Sequence, residues 1–160
     1  MIGDKTMLQT VIDNCKESKL IDKVIVATPH HIEFENADWF IGNENDVLDR
    51  FYQCALKFKS DIIVRVTSDC PLVQGFTVDT AIKFFRSMKL PYIKFALVNG
   101  LDVEVFTFGI LEKAWNNAKT PYDREHVTPF MKEATKLSVD TKEDLERIRE
   151  WINAGNKPLN

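Results

Sequence analysis

The sequence predicts an α/β domain built around a mainly parallel sheet, and three observations carry that prediction. Amphipathic helical patterns alternate with short apolar runs through the first two thirds of the chain. Two of those runs, residues 23–28 (KVIVAT) and 62–66 (IIVRV), are β-branched and almost wholly apolar, as strands covered on both faces are. Finally, no linker or internal repeat divides the 160 residues, and a chain of this length buries roughly 70% of its unfolded surface without disulfides or a structural metal. One domain spanning 1–160 follows.

In chain order, Met7, Leu8, Val11, Ile12 and Cys15 recur at helical spacing, so residues 6–19 predict a first helix with Thr6 as its cap. Residues 23–28 form a buried strand that Pro29 ends. The stretch 30–46 has no clean period and at most a short strand at 39–41. Val47, Leu48, Phe51, Tyr52, Ala55 and Leu56 then return to helical spacing. The strand 62–66 feeds a polar loop, Thr67-Ser68-Asp69-Cys70-Pro71. Ala81, Ile82, Phe84 and Phe85 predict a helix over 78–88, and a strand at 92–97 leads through the turn Asn99-Gly100 to a returning strand at 103–108 (VEVFTF). Ile110, Leu111, Ala114 and Trp115 suggest a short helix, and Pro121-Tyr122-Asp123 suits the first turn of another. Residues 137–139 read as a minimal strand. Thr141 and Asp144 have capping-box spacing, and Leu145, Ile148 and Ile152 give the last helix a stripe to bury.

Charge and composition narrow the partners. With 21 basic and 24 acidic residues the formal charge is -3, which supplies no basic field for a nucleic-acid backbone or an anionic membrane. The apolar runs are far short of the roughly 20 residues that span a bilayer, and Met1-Ile2-Gly3-Asp4-Lys5 lacks the pattern of a secretory signal. Cys15, Cys54 and Cys70 match neither a disulfide framework nor a zinc signature, so a reducing cytoplasm is the expected location. Small molecules are the expected partners. A second copy of the chain is an open one, through Trp39, Phe84, Phe85 and Trp115, although aromatics at helical spacing are more often core.

The six glycines are scattered, which excludes a dinucleotide fingerprint and a Walker loop, and no Gly-x-Ser-x-Gly elbow is present. In parallel sheets ligands bind beyond the carboxyl ends of the strands, so the loops 67–75 and 99–104 and the approach to Asp140 draw interest. Asp69 follows a buried strand, where a carboxylate holds Mg2+ against substrate phosphates or simply forms a turn. Asp140 precedes the last helix, where it either offsets the positive helix end or supplies a second hard oxygen. Arg65 lies within an apolar strand, and a buried arginine needs a carboxylate, so a structural ion pair is at least as good a reading as a substrate contact.

Five segments then point to a family. IIVRVTSDCPLV (62–73), LDVEVFTF (101–108), PYDREHVTPF (121–130) and VDTKEDLERIR (139–149), together with ENDVLDRFY (44–52), resemble the cytidylyltransferases. That group includes the acylneuraminate and KDO enzymes and the spore-coat polysaccharide biosynthesis protein F type, which is the most similar. The resemblance implies a Rossmann-like three-layer α/β/α sandwich of the nucleotide-diphospho-sugar transferase kind. It also implies CTP and a small sugar as substrates, a CMP-sugar and pyrophosphate as products, and Mg2+ as cofactor. Its two metal-binding aspartates fall on Asp69 and Asp140. The segment REHVTPF puts Arg124 and His126 among candidate catalytic residues and Glu125 beside the sugar. Asp102 and Glu104 join Arg65 as candidate substrate contacts, although Glu104 also fits the exposed position of an alternating strand. Asp46, Asp49 and Arg50 belong to the family pattern, although Asp46 also fits a helix cap and Arg50 a brace of the fold.

The resemblance also implies a difference. Family members open with a buried strand and a basic, glycine-containing loop, whereas Met1-Ile2-Gly3-Asp4-Lys5-Thr6-Met7-Leu8 matches the segment leading into their first helix. The chain therefore reads as N-terminally truncated relative to the family, and the absent strand belongs between 23–28 and 62–66. Its pairing groups stay exposed unless the two strands close up or another chain enters. A cytidylyltransferase for polysaccharide or glycan synthesis is the expected lineage. A catalytically impaired relative that binds nucleotide or sugar, or an assembly subunit, is the alternative.

Overall fold

In a computed structural model, which describes residues 1–96 and 98–156, seven helices and five strands are present; the first two thirds mix helices and strands as the sequence predicts, while the helix Pro129–Ala134 is not among the expected elements. Helix α1 (Met7–Lys16) starts where Thr6 accepts the Gln9 amide at 3.1 Å, and leads to β1 (Ile25–Thr28) and β2 (Asp38–Ile41). Helix α2 (Val47–Phe58) is capped by Asp46, and β3 (Ile62–Arg65) feeds the loop to α3 (Gly75–Met88). Then come β4 (Tyr92–Phe95), β5 (Val103–Thr107), α4 (Phe108–Asn117), α5 (Pro121–His126), α6 (Pro129–Ala134) and α7 (Lys142–Asn153). Leu97, the end of the expected strand 92–97, lies outside the described residues.

The strands form two part-sheets. Strand β1 pairs in parallel with β2, and β5 stands between β3 and β4, antiparallel to both. The expected hairpin through Asn99-Gly100 is therefore present as β4–β5. The expectation of a mainly parallel sheet is corrected, because inserting β5 converts a parallel β3/β4 neighbourhood into two antiparallel ladders.

The ladders also fix which backbone groups are left over. Asp38 N donates to Val24 O and Gly42 N to Thr28 O, so by parallel alternation Val26 and Thr28 face β2 while Ile25 and Ala27 face the other edge. On β3, Phe108 N donates to Asp61 O, which puts Ile63 and Arg65 in the bonded pairs with β5 and turns Ile62 and Val64 outward. Among the described residues these two edges have no ladder partner. The strands have not closed up.

Helices cover both faces. Val103 and Val105 of β5 join Val11 and Cys15 of α1 and Val78, Ala81, Ile82 and Phe85 of α3 in one core. Phe106, on the alternate face, joins Leu48 of α2, Leu111 and Ala114 of α4, and Met131 of α6 in the other. Helix α3 begins at Gly75 rather than at residue 78, because a side-chain-free residue there lets its first turn abut Glu17 and Ser18 at the end of α1. Asp79 then accepts the Lys19 and Leu20 amides at 3.0 and 3.2 Å, which ties the two helices together.

Two expectations at the C-terminal side are corrected. Residues 137–139 form no strand, since no ladder partner lies alongside them and isolated extended backbone has nothing to bond. The capping box of α7 is present, but its stripe is not buried: Leu145 is 37% and Ile152 52% exposed. An ion pair ties this helix to the segment before it, Lys136 reaching Asp144 at 3.3 Å, while Arg147 of the same helix holds that carboxylate at 2.7 Å.

Candidate functional site

Strand β3 delivers Arg65 and, through its polar loop, Asp69 to one rim of the sheet. The antiparallel neighbour β5 brings Glu104 opposite Arg65 in register, with Asp102 just before it. Asp69 is exposed, and its carboxylate accepts from the Thr67 hydroxyl and from the Cys70 thiol at 3.7 Å. The Thr67 hydroxyl in the first place, with the positive charge of Arg65 adding to it, holds Asp69 below the usual carboxylate range. Asp102 pairs with Lys94 of β4 at 2.9 Å, which lowers its pKa, while the negative charge of Asp69 acts on it in the opposite sense. Asp69, after β3, and Asp102, before β5, thus stand at the same end of the β3–β5 ladder.

Glu104 is 7% exposed, not the outward member of an alternating strand. One oxygen takes the Arg65 guanidinium, and the other accepts from Tyr92 Oη at 2.9 Å and Thr128 Oγ1 at 2.8 Å. Arg65 therefore has the carboxylate that a buried arginine requires, and its guanidinium carbon also lies 5.7 Å from the centre of the Phe51 ring. Burial in the first place, and the Glu104 charge after it, push the Tyr92 hydroxyl well above its ordinary pKa.

The segment PYDREH forms α5, with Pro121 in its first turn and Thr120 as cap. Arg124 spans three elements: Nε and Nη2 donate to Asp46 Oδ2 at 2.9 and 2.5 Å, and Nη1 donates to the Trp115 carbonyl at 2.8 Å. Asp46 also accepts the Asp49 amide, so the α2 cap and the α5 arginine share one carboxylate. Glu125 and His126 are exposed, and the His126 ring sits 4.4 Å from that of Tyr122. Arg50 is buried and braces the loop before α2 through the Asn43 carbonyl at 2.6 Å.

Asp140 is exposed and bonds to Lys136 at 2.7 Å, with a contact to Ser138 at 3.5 Å. No hydrogen bond joins it to Asp69. Among the described residues no three His, Cys, Asp or Glu side chains converge as a complete metal cage. The exposed carboxylate of Asp69 offers hard oxygens of the kind that a divalent cation takes, with phosphate oxygens and water completing its shell.

Sequence reasoning assembles Arg65, Asp69, Asp102 and Glu104, and the structure gathers all four at one rim. It misses Tyr92, Lys94 and Thr128. The signal available was the register of the hairpin: a buried carboxylate at 104 calls for donors on the paired strand, and Tyr92 and Lys94 are the polar positions of β4 on one face.

Comparisons with known proteins follow from this geometry. The sequence profile described as cytidylyltransferase matches residues 1–153. The uncharacterized protein MJ1063 of Methanocaldococcus jannaschii is 40% identical over 147 residues, covering 85% of this chain and 60% of that protein. The chain thus spans about 60% of the length of that relative. The spore coat polysaccharide biosynthesis protein SpsF of Bacillus subtilis is 26% identical over 192 residues, with 98% of this chain and 80% of that one covered. Among solved structures, a cytidylyltransferase from Leptospira borgpetersenii superposes with a TM-score of 0.74 at 27% identity, over 96% of this chain and 78% of that one. The CMP:2-keto-3-deoxy-manno-octonic acid synthetase complexed with CTP matches in fold, with a TM-score of 0.57 at 14% identity over 94% and 89% of the two chains.

Proposed function

The chain belongs to the cytidylyltransferase family, and from that membership we propose that its β3–β5 rim binds CTP and a sugar acid for transfer of CMP to the sugar. In that reaction a sugar hydroxyl oxygen forms the bond to the α-phosphorus, the bond to the bridging oxygen breaks, and pyrophosphate leaves. The observation that carries the reading is the placement of Asp69 beyond the carboxyl end of β3, at the end of the ladder where Arg65 faces Glu104 and Asp102 precedes β5.

Asp69 is the group that would hold Mg2+, and Asp140 would join it on exchanging its partner Lys136 for the cation. Mg2+ when bound supplies neutralisation of the charge that develops on the phosphates. The remaining work falls to the chain itself. Arg65, fixed by Glu104, presents a guanidinium at the rim. Asp102 offers an acceptor for sugar hydroxyls, and Lys94 keeps it ionised. Arg124 sets the position of α5 through Asp46, and with it the exposed Glu125 and His126 as contacts for the acidic sugar. Synthesis of a surface polysaccharide or another glycan, inside the cell, is the setting we infer from the relative named for spore-coat polysaccharide.

A second reading has an observation of its own. Arg65, Lys94 and Arg124 are each already engaged by a carboxylate, so little of their charge is left for a triphosphate. That favours a family relative that binds nucleotide or sugar without turning it over. Calorimetry with CTP and Mg2+, followed by pyrophosphate release with a panel of sugar acids, separates the two. Turnover that Asp69→Asn reduces by at least about 100-fold supports the enzyme. Binding without turnover supports the second reading, and neither heat nor turnover sinks both.

A further inference from the structure

The turn between α5 and α6 is backbone under constraint. Val127 sits at φ 69° and ψ -52°, and Thr128 N donates back to His126 O at 2.7 Å. That is a γ-turn of the rare positive-φ form, and a β-branched residue is especially unsuited to it. It persists because the Val127 side chain is fully buried in the core formed by α2, α4, α6 and the sheet. The turn has one evident product: it points the Thr128 hydroxyl, itself in a residue only 8% exposed, at Glu104. Conformations of this kind are held where the surrounding structure over-determines them, and they cluster at working sites.

Glu104 is the hub. It is the only carboxylate hydrogen-bonded to Arg65 among the described residues, and its second oxygen is held by Tyr92 from β4 and Thr128 from the α5–α6 turn. Neither donor is hydrogen-bonded to Arg65 or Asp69 itself. Each acts on Arg65 through Glu104: with both bonds made, the carboxylate cannot rotate, and Arg65 is fixed relative to Asp69. The buried Nε of Arg65 has no partner of its own, so Glu104 is the one hydrogen-bonded anchor of the guanidinium among the described residues, beside its contact with the Phe51 ring.

We propose that Thr128 and Tyr92 are positioning residues, which lock Glu104 from the strained α5–α6 turn and from β4 so that the Arg65 guanidinium is held in one orientation toward bound nucleotide. The proposal rests on the reading of the rim as a CTP site, and it deepens that reading by naming what orients its cation. It also couples the sugar-side helix α5 to the phosphate-side strand β3, since the turn that ends the one holds the anchor of the other.

The test uses the intact chain and two readouts. One is the Nε–H resonance of Arg65 in a 15N-labelled protein without ligand; the other is CTP affinity by calorimetry with Mg2+. Thr128→Val and Tyr92→Phe each remove one donor at nearly constant shape. Each is expected to shift and broaden the Arg65 resonance and to weaken CTP binding about tenfold, and Thr128→Ser, which restores a hydroxyl, is expected to recover both. Should Thr128→Val not fold, Tyr92→Phe carries the same expectation. A variant that melts earlier but keeps the wild-type Arg65 resonance would reduce the network to ordinary core structure and overturn the proposal. So would an Arg65 resonance that moves while CTP affinity does not. A wild-type chain that gives no heat with CTP sinks the nucleotide reading instead, and leaves the resonance to decide whether Thr128 and Tyr92 orient Arg65.

Discussion

Arg65 and Glu104 carry the clearest single-residue consequences. Removing one partner of a buried pair leaves an uncompensated charge, so Glu104→Ala strands Arg65, Tyr92 and Thr128 together and is expected to cost about 3–5 kcal/mol by urea denaturation. Glu104→Gln keeps an acceptor for the hydroxyls and should cost less; equal losses would mean that the charge contributes nothing. Asp144 gives a pH-dependent counterpart. Arg147 in the first place, then the Asp140 amide and Lys136, hold its carboxyl well below the usual range, so the folded state binds this proton less readily than the unfolded chain. Its contribution to stability is therefore present above the unfolded value of about 3.9 and is lost as pH falls below it. Asp144→Asn should flatten the acid limb of the stability profile, from the unfolded value of about 3.9 downward, and an unchanged acid limb in thermal melts would refute the assignment. The need of Arg65 for a carboxylate was legible in the sequence, because an arginine in an apolar strand has few alternatives. The partnership of Tyr92 and Thr128 was not: it depends on strand register and on a positive-φ turn at a valine, which no local pattern announces.

At the scale of elements, the contact between α1 and α3 is set by one missing atom. A Cβ at Gly75 would lie within about 3 Å of both backbone and side chain of Glu17, so Gly75→Ala must push the helices apart or shorten α3. Overpacking of this kind typically costs about 1–3 kcal/mol, and here the displaced neighbour is backbone, which yields least. The expected outcome is a lower melting temperature together with weakened protection of the Lys19 and Leu20 amides that Asp79 accepts; loss of neither would show that the junction is slack. Helices with a core on one face were read well from periodicity, down to the caps at Thr6, Asp46 and Thr141. Residues 137–139 and the stripe of α7 were misread for one shared reason. An apolar pattern states which surface is available for burial, whereas burial itself requires a second surface, and the described residues place none against Leu145 and Ile152.

The molecule is organised around two part-sheets packed with helices, and among the described residues β1 and β3 each turn an unpaired edge away from their ladders. The existence of both strands was legible in their apolar runs. The insertion of β5 was not, because sequence order says nothing of spatial order in a sheet. Unpaired edges template pairing with other chains, so the protein is expected to self-associate as its concentration rises. Alternation along β1 turns this into a sharp test. Proline removes a backbone N–H and is tolerated on an edge strand only where that N–H is not in the ladder. Ala27 faces the free edge and Val26 faces β2. Ala27→Pro should therefore keep the fold and reduce association in sedimentation velocity, while Val26→Pro, one residue away, should remove a ladder bond and lower the melting temperature by several degrees, roughly the effect of 1–3 kcal/mol in a chain of this size. In amide exchange of the wild type the same contrast should appear without any substitution, Ile25 and Ala27 exchanging faster than Val26 and Thr28. If all four are equally protected, the edge of β1 is covered in solution and the two part-sheets are joined by something that the ladders do not reveal.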